Sequence, residues 1–543
     1  MNKYISWVIA AILLSAAGVA VLLLRDSDGS LSWEKAQVLL EKEQYADALE
    51  KLRNAASKGH VDAMTLQGDL YAQGEHVQKD LKLARSCYLQ AAKLGHADAQ
   101  YKLADCYLRG LGTSANPDKA AKWLLKAAEQ GHADAQCALG KCYMEGSGLS
   151  KDEQQALKWY RKAAEQGSAE AQVKVGVCYS HGYGTAQDDV EAVIWYRKAA
   201  EQGNANAQCA LGDCYSDGKG VAQDHTEAVK WYRKAAEQGN DNAQYWLGFY
   251  YKHGRGGLQE SYTEAAKWYR KAAEQGHAKA QYWLASCYED GKGVPQDDVE
   301  AARWYRKSAE QGYAFAQFML GASYTLGRGV PKSDENAVDW YRKAAEQGLA
   351  TAQSALGNCY GNSKGVALDH TEAVKWFRKA AEQGNADAQY WLGFYYSEGW
   401  GGLQESYTEA AKWYRKAAEQ GHAKAQYRLA ICYEEGKGVP QDNVEAARWY
   451  RKSAEQGHAS AQFSLGVSYK LGRGVPKSAE KAASWYRMAA EQGNEYGQFC
   501  LGLCYQYGNG VPKDLKEAVK WYQKAAAQGH EDAIKQLQEL KVR

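Results

Sequence analysis

Few residue groups in this 543-residue chain have the types and spacing that chemistry needs. Ser32-Trp-Glu-Lys35 and Ser216-Asp-Gly-Lys219 match the Ser-x-x-Lys spacing in which a lysine can help to activate a serine for acyl transfer. No Lys-Thr-Gly or Ser-Asp-Asn segment accompanies either motif. A weak acyl or β-lactam hydrolase is therefore the third of our three functional hypotheses, and we predict no catalytic residue.

Glycine, cysteine and histidine recur at fixed spacing, which indicates structural roles. Loops such as Gly327-Arg-Gly-Val lie between predicted helices, so we interpret their glycines as turn and cap residues and not as phosphate cradles. Eight of the 12 cysteines occupy one equivalent position, and we interpret them as small core residues. Cys500 and Cys504 form the one close pair, without the flanking histidine that a zinc site would need. We therefore predict no metal and no cofactor.

The elements that position these residues repeat along the chain. A closing glycine recurs fourteen times from Gly59 to Gly529, at a spacing of 36 residues except twice at 37. In the block His277–Gly312, small and apolar residues first fall at helical spacing and are followed by a Gly-x-Gly loop. Asp297 and Glu300 then have the spacing of a capping box that opens a second helix. Each block therefore predicts a helical hairpin, and stacking of hairpins is expected to hide each second-helix tryptophan.

One pattern is common to these blocks. It consists of Ala-x-Ala-Gln, Leu-Gly or Leu-Ala, Tyr, a Gly-x-Gly-Val loop, an acidic cap and Ala-x-x-Trp-Tyr-Arg-Lys-Ala-Ala-Glu-Gln-Gly. This pattern resembles the Sel-1-like repeat, a relative of the tetratricopeptide repeat, over thirteen units. The resemblance implies an all-α fold, a right-handed α-α superhelix (solenoid) of antiparallel helix pairs that acts as a non-enzymatic interaction scaffold. Cysteine-rich relatives form disulfides with a Lys-Ala-Cys segment, which this chain lacks, so their pairing is not expected here.

The segment before the repeats suggests an attachment to a membrane. The uncharged run Tyr4–Leu24 is long enough to span a bilayer, and we favour an uncleaved single-pass anchor over a cleaved signal peptide and secretion. Lys3 favours extracytoplasmic repeats, in a bacterial periplasm. The predicted domains are the anchor or signal segment with a short linker at 1–29, a tetratricopeptide-like capping hairpin at 30–59, thirteen repeats at 60–529 and a C-terminal capping helix at 530–543.

The side of the first helix opposite the predicted core carries aromatic residues in the central and later units. First helices line the concave groove in homologous repeat folds, so our first hypothesis is that these rings bind a protein or peptide. Burial of the rings by superhelical curvature is the alternative interpretation. Rings also stack on sugars, so a cell-envelope carbohydrate-binding protein is the second hypothesis. With 67 Lys and Arg against 65 Asp and Glu, bulk charge does not favour a nucleic-acid partner. The predicted partner-binding residues are Tyr245, Trp246, Phe249, Tyr282, Trp283, Phe318, Tyr390, Trp391, Phe394 and Tyr427.

Overall fold

The computed structural model describes residues 27–542, which form 29 α-helices and, within that range, no β-strand. The predicted anchor run Tyr4–Leu24 lies outside the described residues, and no described helix is long and apolar enough to cross a bilayer. The chain divides into two compact units between Ala272 and Ala273. In each unit, helices pack on the helices next to them in the chain. The prediction of an all-α solenoid of stacked helix pairs is therefore confirmed for each unit.

The first unit contains a short hairpin and the helices of the first six repeats. The hairpin helices are Ser30–Glu41 and Tyr45–Ser57. The first helices of the repeats are Val61–Gln73, Ala97–Arg109, Ala133–Glu145, Ala169–His181, Ala205–Asp217 and Asp241–His253. The second helices are Leu81–Lys93, Pro117–Glu129, Glu153–Glu165, Asp189–Glu201, His225–Glu237 and Tyr262–Glu274, the last of which ends just beyond the division.

The second unit contains seven repeats and a final helix, Glu531–Val542. Its first helices are Ala278–Asp290, Ala314–Leu326, Ala350–Gly361, Ala386–Glu398, Ala423–Glu435, Ala459–Leu471 and Glu495–Tyr507. Its second helices are Asp298–Glu310, Asp334–Glu346, His370–Glu382, Tyr407–Glu419, Asn443–Glu455, Ala479–Glu491 and Leu515–Ala527.

Most first helices begin at a side-chain cap and end at a glycine. His277 Nδ1 accepts a hydrogen bond from the backbone N–H of Ala280 at 3.1 Å, which satisfies one of the unpaired donors at the helix start. Gly291 ends the same helix in the left-handed conformation, with φ of 67°. The histidines that follow the closing glycines are therefore N-caps, a role that we did not predict from the sequence.

The predicted cap of the second helix is confirmed, but its capping box is only half formed. Asp297 Oδ1 accepts hydrogen bonds from the backbone N–H groups of Val299 and Glu300, both at 3.0 Å. The N–H of Asp297 donates to the carbonyl of Tyr288 at 3.0 Å, and Glu300 pairs with Arg303 at 2.9 Å. A capping box also predicts a hydrogen bond from the N–H of Asp297 to the side chain of Glu300. This part of the prediction is wrong, because the carbonyl of Tyr288 on the first helix accepts from that N–H instead.

The second glycine of a Gly-x-Gly loop lies against the preceding repeat. Gly329 has φ of 65°, and a Cβ at this position would collide with the carbonyl oxygen of Asp298. Asp298 is the first residue of the preceding second helix. The loop glycine therefore allows close backbone contact between neighbouring repeats, in addition to forming the turn.

Burial of the second-helix tryptophans is less complete than predicted. Every repeat except the first has one tryptophan in its second helix, and of these twelve tryptophans five are buried and seven are half-buried. In most repeats the lysine three residues later covers the ring, as where Lys307 Nζ lies 4.3 Å from the centre of the Trp304 ring. These lysines therefore cover the outer edge of the indole while their charge stays in water.

From the second repeat onward, a buried glutamine links each repeat to the one before it. Gln353 Nε2 donates to the carbonyl of Ala345 in the preceding repeat at 3.1 Å, and Gln353 Oε1 accepts from Gln383 Nε2 at 2.7 Å. Equivalent Gln–Gln pairs join residues 30 or 31 positions apart throughout both units. The Gln of the Glu-Gln pair at the end of the second helix therefore forms a polar ladder between helices.

The cysteines are free thiols, ten of them buried and two half-buried. Their assignment as small core residues is confirmed. Burial raises the pKa of most of these thiols, for example that of Cys106 to about 11. They are therefore protonated and weakly nucleophilic near neutral pH.

Candidate functional site

The ten predicted partner-binding residues occupy three positions on the first helix. The fifth residue of the helix is Tyr245, Tyr282, Phe318, Tyr390 or Tyr427. The sixth is Trp246, Trp283 or Trp391, and the ninth is Phe249 or Phe394. The structure places these three positions in different surroundings.

The rings at the fifth position pack inside the stack. Tyr390 lies 6.0 Å from Tyr414 of its own second helix and 4.9 Å from His422, the cap of the next first helix, measured between ring centres. Tyr245 and Tyr390 are 8% and 9% exposed. The expectation that these two rings face solvent is wrong, because the tyrosine of the second helix packs on each ring, Tyr414 on Tyr390 and Tyr269 on Tyr245.

The other three fifth-position rings are half-buried. Tyr282, Phe318 and Tyr427 lie 5.7, 5.6 and 5.8 Å from the tyrosine of their own second helix. Trp283 is also half-buried and lies 5.1 Å from Tyr282. These residues contribute packing between the two helices of a hairpin and keep part of their surface accessible.

The sixth and ninth residues form an aromatic cluster in the first unit. Trp246 and Phe249 meet edge to face at 5.6 Å, and Phe249 lies 4.4 Å from His253. The guanidinium carbon of Arg255 lies 5.9 Å from the Phe249 ring. Burial and the neighbouring cations Lys252 and Arg255 lower the pKa of His253, which favours its neutral form. We call Trp246, Phe249, His253 and Arg255 the Trp246 cluster.

A related cluster in the second unit contains an exposed tryptophan. Trp391 and Phe394 meet edge to face at 5.7 Å, and Phe394 meets Trp400 at 5.5 Å. The guanidinium carbon of Arg428 lies 5.8 Å from the Phe394 ring. Trp400 is 43% exposed. We call Trp391, Phe394, Trp400 and Arg428 the Trp391 cluster.

Sequence reasoning missed Trp400 because it lies in a loop, where a helical period carries no information. A signal was nevertheless present, since Trp400 lies in one of the two extended 37-residue units. Its equivalent in the other extended unit is Arg255. The loops of the two 37-residue repeats therefore place different side chains beside the first helix, Trp400 beside Phe394 and Arg255 beside Phe249.

An ionisable pair lies below the Trp246 cluster. Trp246 stacks on Tyr232 at 6.2 Å, and the hydroxyl of Tyr232 donates to Asp213 Oδ1 at 2.6 Å. Burial raises the pKa of Asp213 to about 6. The equivalent residues below the Trp391 cluster are Asn358 and Phe377, which cannot ionise. The Trp246 cluster therefore has an ionisable carboxyl group nearby, whereas the Trp391 cluster has a neutral amide at the equivalent position.

The groups considered for catalysis have structural partners. Ser216 Oγ accepts a hydrogen bond from the hydroxyl of Tyr250 at 2.9 Å, while Lys219 pairs with Asp217 at 2.9 Å. Ser32 Oγ lies 3.5 Å from Asn54 Oδ1. Within residues 27–542, no three His, Cys, Asp or Glu side chains are grouped as a metal ion would require.

Comparisons with known proteins agree with this architecture. The family model described as "Sel1 repeat" matches thirteen consecutive segments, from residues 61–96 to residues 496–530. The crystal structure of c5321, described as a protective antigen present in uropathogenic Escherichia coli strains and displaying an SLR fold, is 38% identical with a TM-score of 0.70. That match covers 84% of this chain and 97% of c5321. A Sel1 repeat protein from Oxalobacter formigenes is 35% identical with a TM-score of 0.46, covering 57% of this chain and 89% of its own. A search of curated proteins found no match.

Proposed function

The chain belongs to the Sel1 repeat family, and on this basis we propose that it is a non-enzymatic scaffold that binds a protein segment on its first-helix face. Solenoids of this type generally mediate protein–protein interactions. Each repeat presents its own set of side chains, so the identity of a partner depends on residues that vary between repeats.

The Trp391 cluster is the observation that carries this proposal. Its rings meet edge to face, Trp391 and Phe394 are half-buried, and Trp400 remains 43% exposed. Arg428 adds a guanidinium group beside the rings. Tryptophan and arginine are enriched among the residues that carry most of the binding energy in protein interfaces. An exposed aromatic group of this kind on a water-facing surface favours a docking site for a partner.

A pull-down from the native host tests the proposal. The test variant combines Trp246→Ala, Trp283→Ala and Trp391→Ala. We expect it to lose the proteins that the wild-type chain captures, because tryptophan is enriched among hot-spot residues, whose truncation costs about 2 kcal/mol or more of binding energy.

The matched control removes three half-buried tryptophans from second helices, with Trp231→Ala, Trp340→Ala and Trp376→Ala. It loses the same number of indole rings but leaves the first-helix face intact, so we expect it to keep the partners. Circular dichroism spectra establish that both variants are folded. Retention of every partner by the test variant would refute the proposal.

We also propose that Tyr4–Leu24 anchors the chain in a membrane and that the repeats act outside the cytoplasm. The uncharged run and Lys3 before it support this placement. Fractionation of native cells and mass spectrometry of the mature N-terminus test it. An intact N-terminus in the membrane fraction is the expected result, whereas cleavage near Ala20 would indicate a secreted chain.

A further inference from the structure

The third repeat, residues 133–168, borders a cavity on the first-helix face of the first unit. The cavity has a volume of about 400 Å³. Its walls include Tyr101 and Leu124 from the second repeat, Cys137 and Tyr160 from the third, and Lys174 from the fourth. We call it the third-repeat cavity.

Most other repeats fill the corresponding space with an aromatic ring of the chain itself. In the seventh and eighth repeats the fifth-position ring packs on the second-helix tyrosine, Tyr282 on Tyr305 at 5.7 Å and Phe318 on Tyr341 at 5.6 Å. The tenth to thirteenth repeats pack a ring on the equivalent tyrosine at 5.7 to 6.0 Å. An aromatic ring at this distance is therefore the usual neighbour of that tyrosine.

A second arrangement covers the tyrosine from the following repeat. The fifth repeat has Cys209 at the fifth position, and Trp246 of the sixth repeat stacks on its Tyr232 at 6.2 Å. The third repeat has neither ring, because its own fifth residue is Cys137 and the residue equivalent to Trp246 is Lys174. Two small or flexible side chains at these positions leave the third-repeat cavity beside Tyr160.

The hydroxyl of Tyr160 is a polar group that faces this cavity. Tyr160 is 3% exposed, and among the described residues its hydroxyl has no hydrogen-bond partner. Most equivalent tyrosines bond to their own first helix, such as Tyr196 to Ser180 at 3.3 Å and Tyr305 to Glu289 at 2.7 Å. The corresponding residue in the third repeat is Met144, which cannot accept such a bond effectively.

The rim of the cavity carries charges of both signs. Asp105 pairs with Arg109 at 2.8 Å, and Lys141 lies 3.8 Å from Glu145. Lys174 also borders the opening. Paired charges of opposite sign suit the polar backbone of a peptide better than a strongly charged ligand.

We propose that the third-repeat cavity receives the side chain of a tyrosine from a partner protein, in the place that a ring of the chain occupies in other repeats. The incoming ring would pack on Tyr160, and its phenol group would pair with the Tyr160 hydroxyl. A hydrogen bond between the two phenol groups contributes about 0.5–1.5 kcal/mol net, so tyrosine is favoured over phenylalanine. This inference rests on the proposed function, because it names the chemistry of the partner segment.

Binding of N-acetyl-tyrosine amide to the purified full-length chain tests the inference, with ligand-observed saturation-transfer NMR as the readout. The expected result is saturable binding that is tighter for the tyrosine amide than for the phenylalanine amide and weakest for the leucine amide. Tyr160→Phe is expected to bring the tyrosine-to-phenylalanine ratio close to one. Absence of saturable tyrosine amide binding by the wild-type chain would overturn the inference.

Two variants fill the cavity with a ring of the chain itself. Cys137→Tyr copies the arrangement of Tyr282, and Lys174→Trp copies that of Trp246. Each is expected to weaken binding of the tyrosine amide at least about tenfold. The control Cys137→Ser, which has a natural counterpart in Ser354 at the fifth position of the ninth repeat, is expected to bind as the wild type does. Equal binding by the filled and the control variants would refute the site.

The outcome can be separated from that of the pull-down. A chain that captures its partner through the aromatic clusters but does not bind the tyrosine amide refutes the cavity inference and leaves the proposed function standing. A chain that binds the amide at Tyr160 but captures no protein in its native host refutes the proposed function instead.

Discussion

Replacement of Asp213 by asparagine should stabilise the fifth repeat at neutral pH and have no effect in acid. Burial raises the pKa of this carboxyl from 3.8 to about 6 in the folded chain. Between these values the folded state binds more protons than the unfolded state, so the contribution of Asp213 to stability falls as pH rises through this window. Above about pH 6 the full cost of the buried charge is present, and Asp213→Asn removes it.

The size of the effect follows from the shift in pKa. Two pKa units correspond to about 3 kcal/mol, which is an upper bound because Asp213 keeps some contact with solvent. Asparagine can still accept the hydrogen bond from Tyr232, so little is lost in exchange. We therefore expect a gain of about 1–2 kcal/mol at pH 7.5.

Hydrogen–deuterium exchange of residues 205–237 measures this gain locally, with residues 350–382 of the same chain as an internal reference. A gain of about 1.4 kcal/mol lowers the rate of amide exchange through local unfolding about tenfold at pH 7.5. Below pH 4 the exchange rates of the variant and the wild type should be equal.

The control is Asn358→Asp, which introduces a carboxyl where Phe377 offers no hydroxyl. This variant should speed exchange of residues 350–382 at pH 7.5 and not below pH 4. An Asp213→Asn variant that exchanges faster than wild type at pH 7.5, or equally fast at every pH, would contradict the burial argument.

Three further predictions concern the contacts between repeats. Gly329→Ala should lower the free energy of unfolding by more than Gly348→Ala, because both glycines have positive φ but only Gly329 lies against the backbone of the preceding repeat; urea denaturation of the two variants compares them. Gln353→Met should cost about 2 kcal/mol and Gln383→Met about 1 kcal/mol, since Gln353 is buried with two short hydrogen bonds, whereas Gln383 is exposed and its second bond, to the carbonyl of Lys379, is 3.4 Å long; a larger loss at Gln383 would argue against the polar ladder. The cysteines should react slowly with Ellman's reagent at pH 7.5 in the folded chain and rapidly in urea, because burial raises the pKa of most of these thiols to about 11 or above; fast reaction without urea would contradict their burial.

Much of the fold follows from the sequence because the same constraints recur in every repeat. The carboxylate of Asp297 caps a helix and the glycine at 291 ends one, and both effects act over a few residues of chain. Contacts between distant residues were harder to predict. The bond from Gln383 to Gln353 spans 30 residues, and nothing in the local pattern distinguishes this glutamine from a solvated one.

The candidate site was predicted in outline but not in detail. A helical period places Tyr245 on the side opposite the core, yet Tyr269 of the second helix lies 6.1 Å from its ring and helps to bury it. The period describes one helix and not the side chains that reach it from its neighbours. For the same reason the third-repeat cavity could not be predicted, since it depends on Cys137 and Lys174 being small or flexible in adjacent repeats at once.

Photocrosslinking from the Trp391 cluster tests the central claim most directly. A photoreactive p-benzoylphenylalanine placed at Trp391 in the full-length chain should crosslink to a defined segment of a partner protein in the native host. The same group at Trp376, on the second helix of the preceding repeat, should not capture that segment. Identical crosslinks from both positions, or crosslinks from Trp376 alone, would contradict a partner site on the first-helix face.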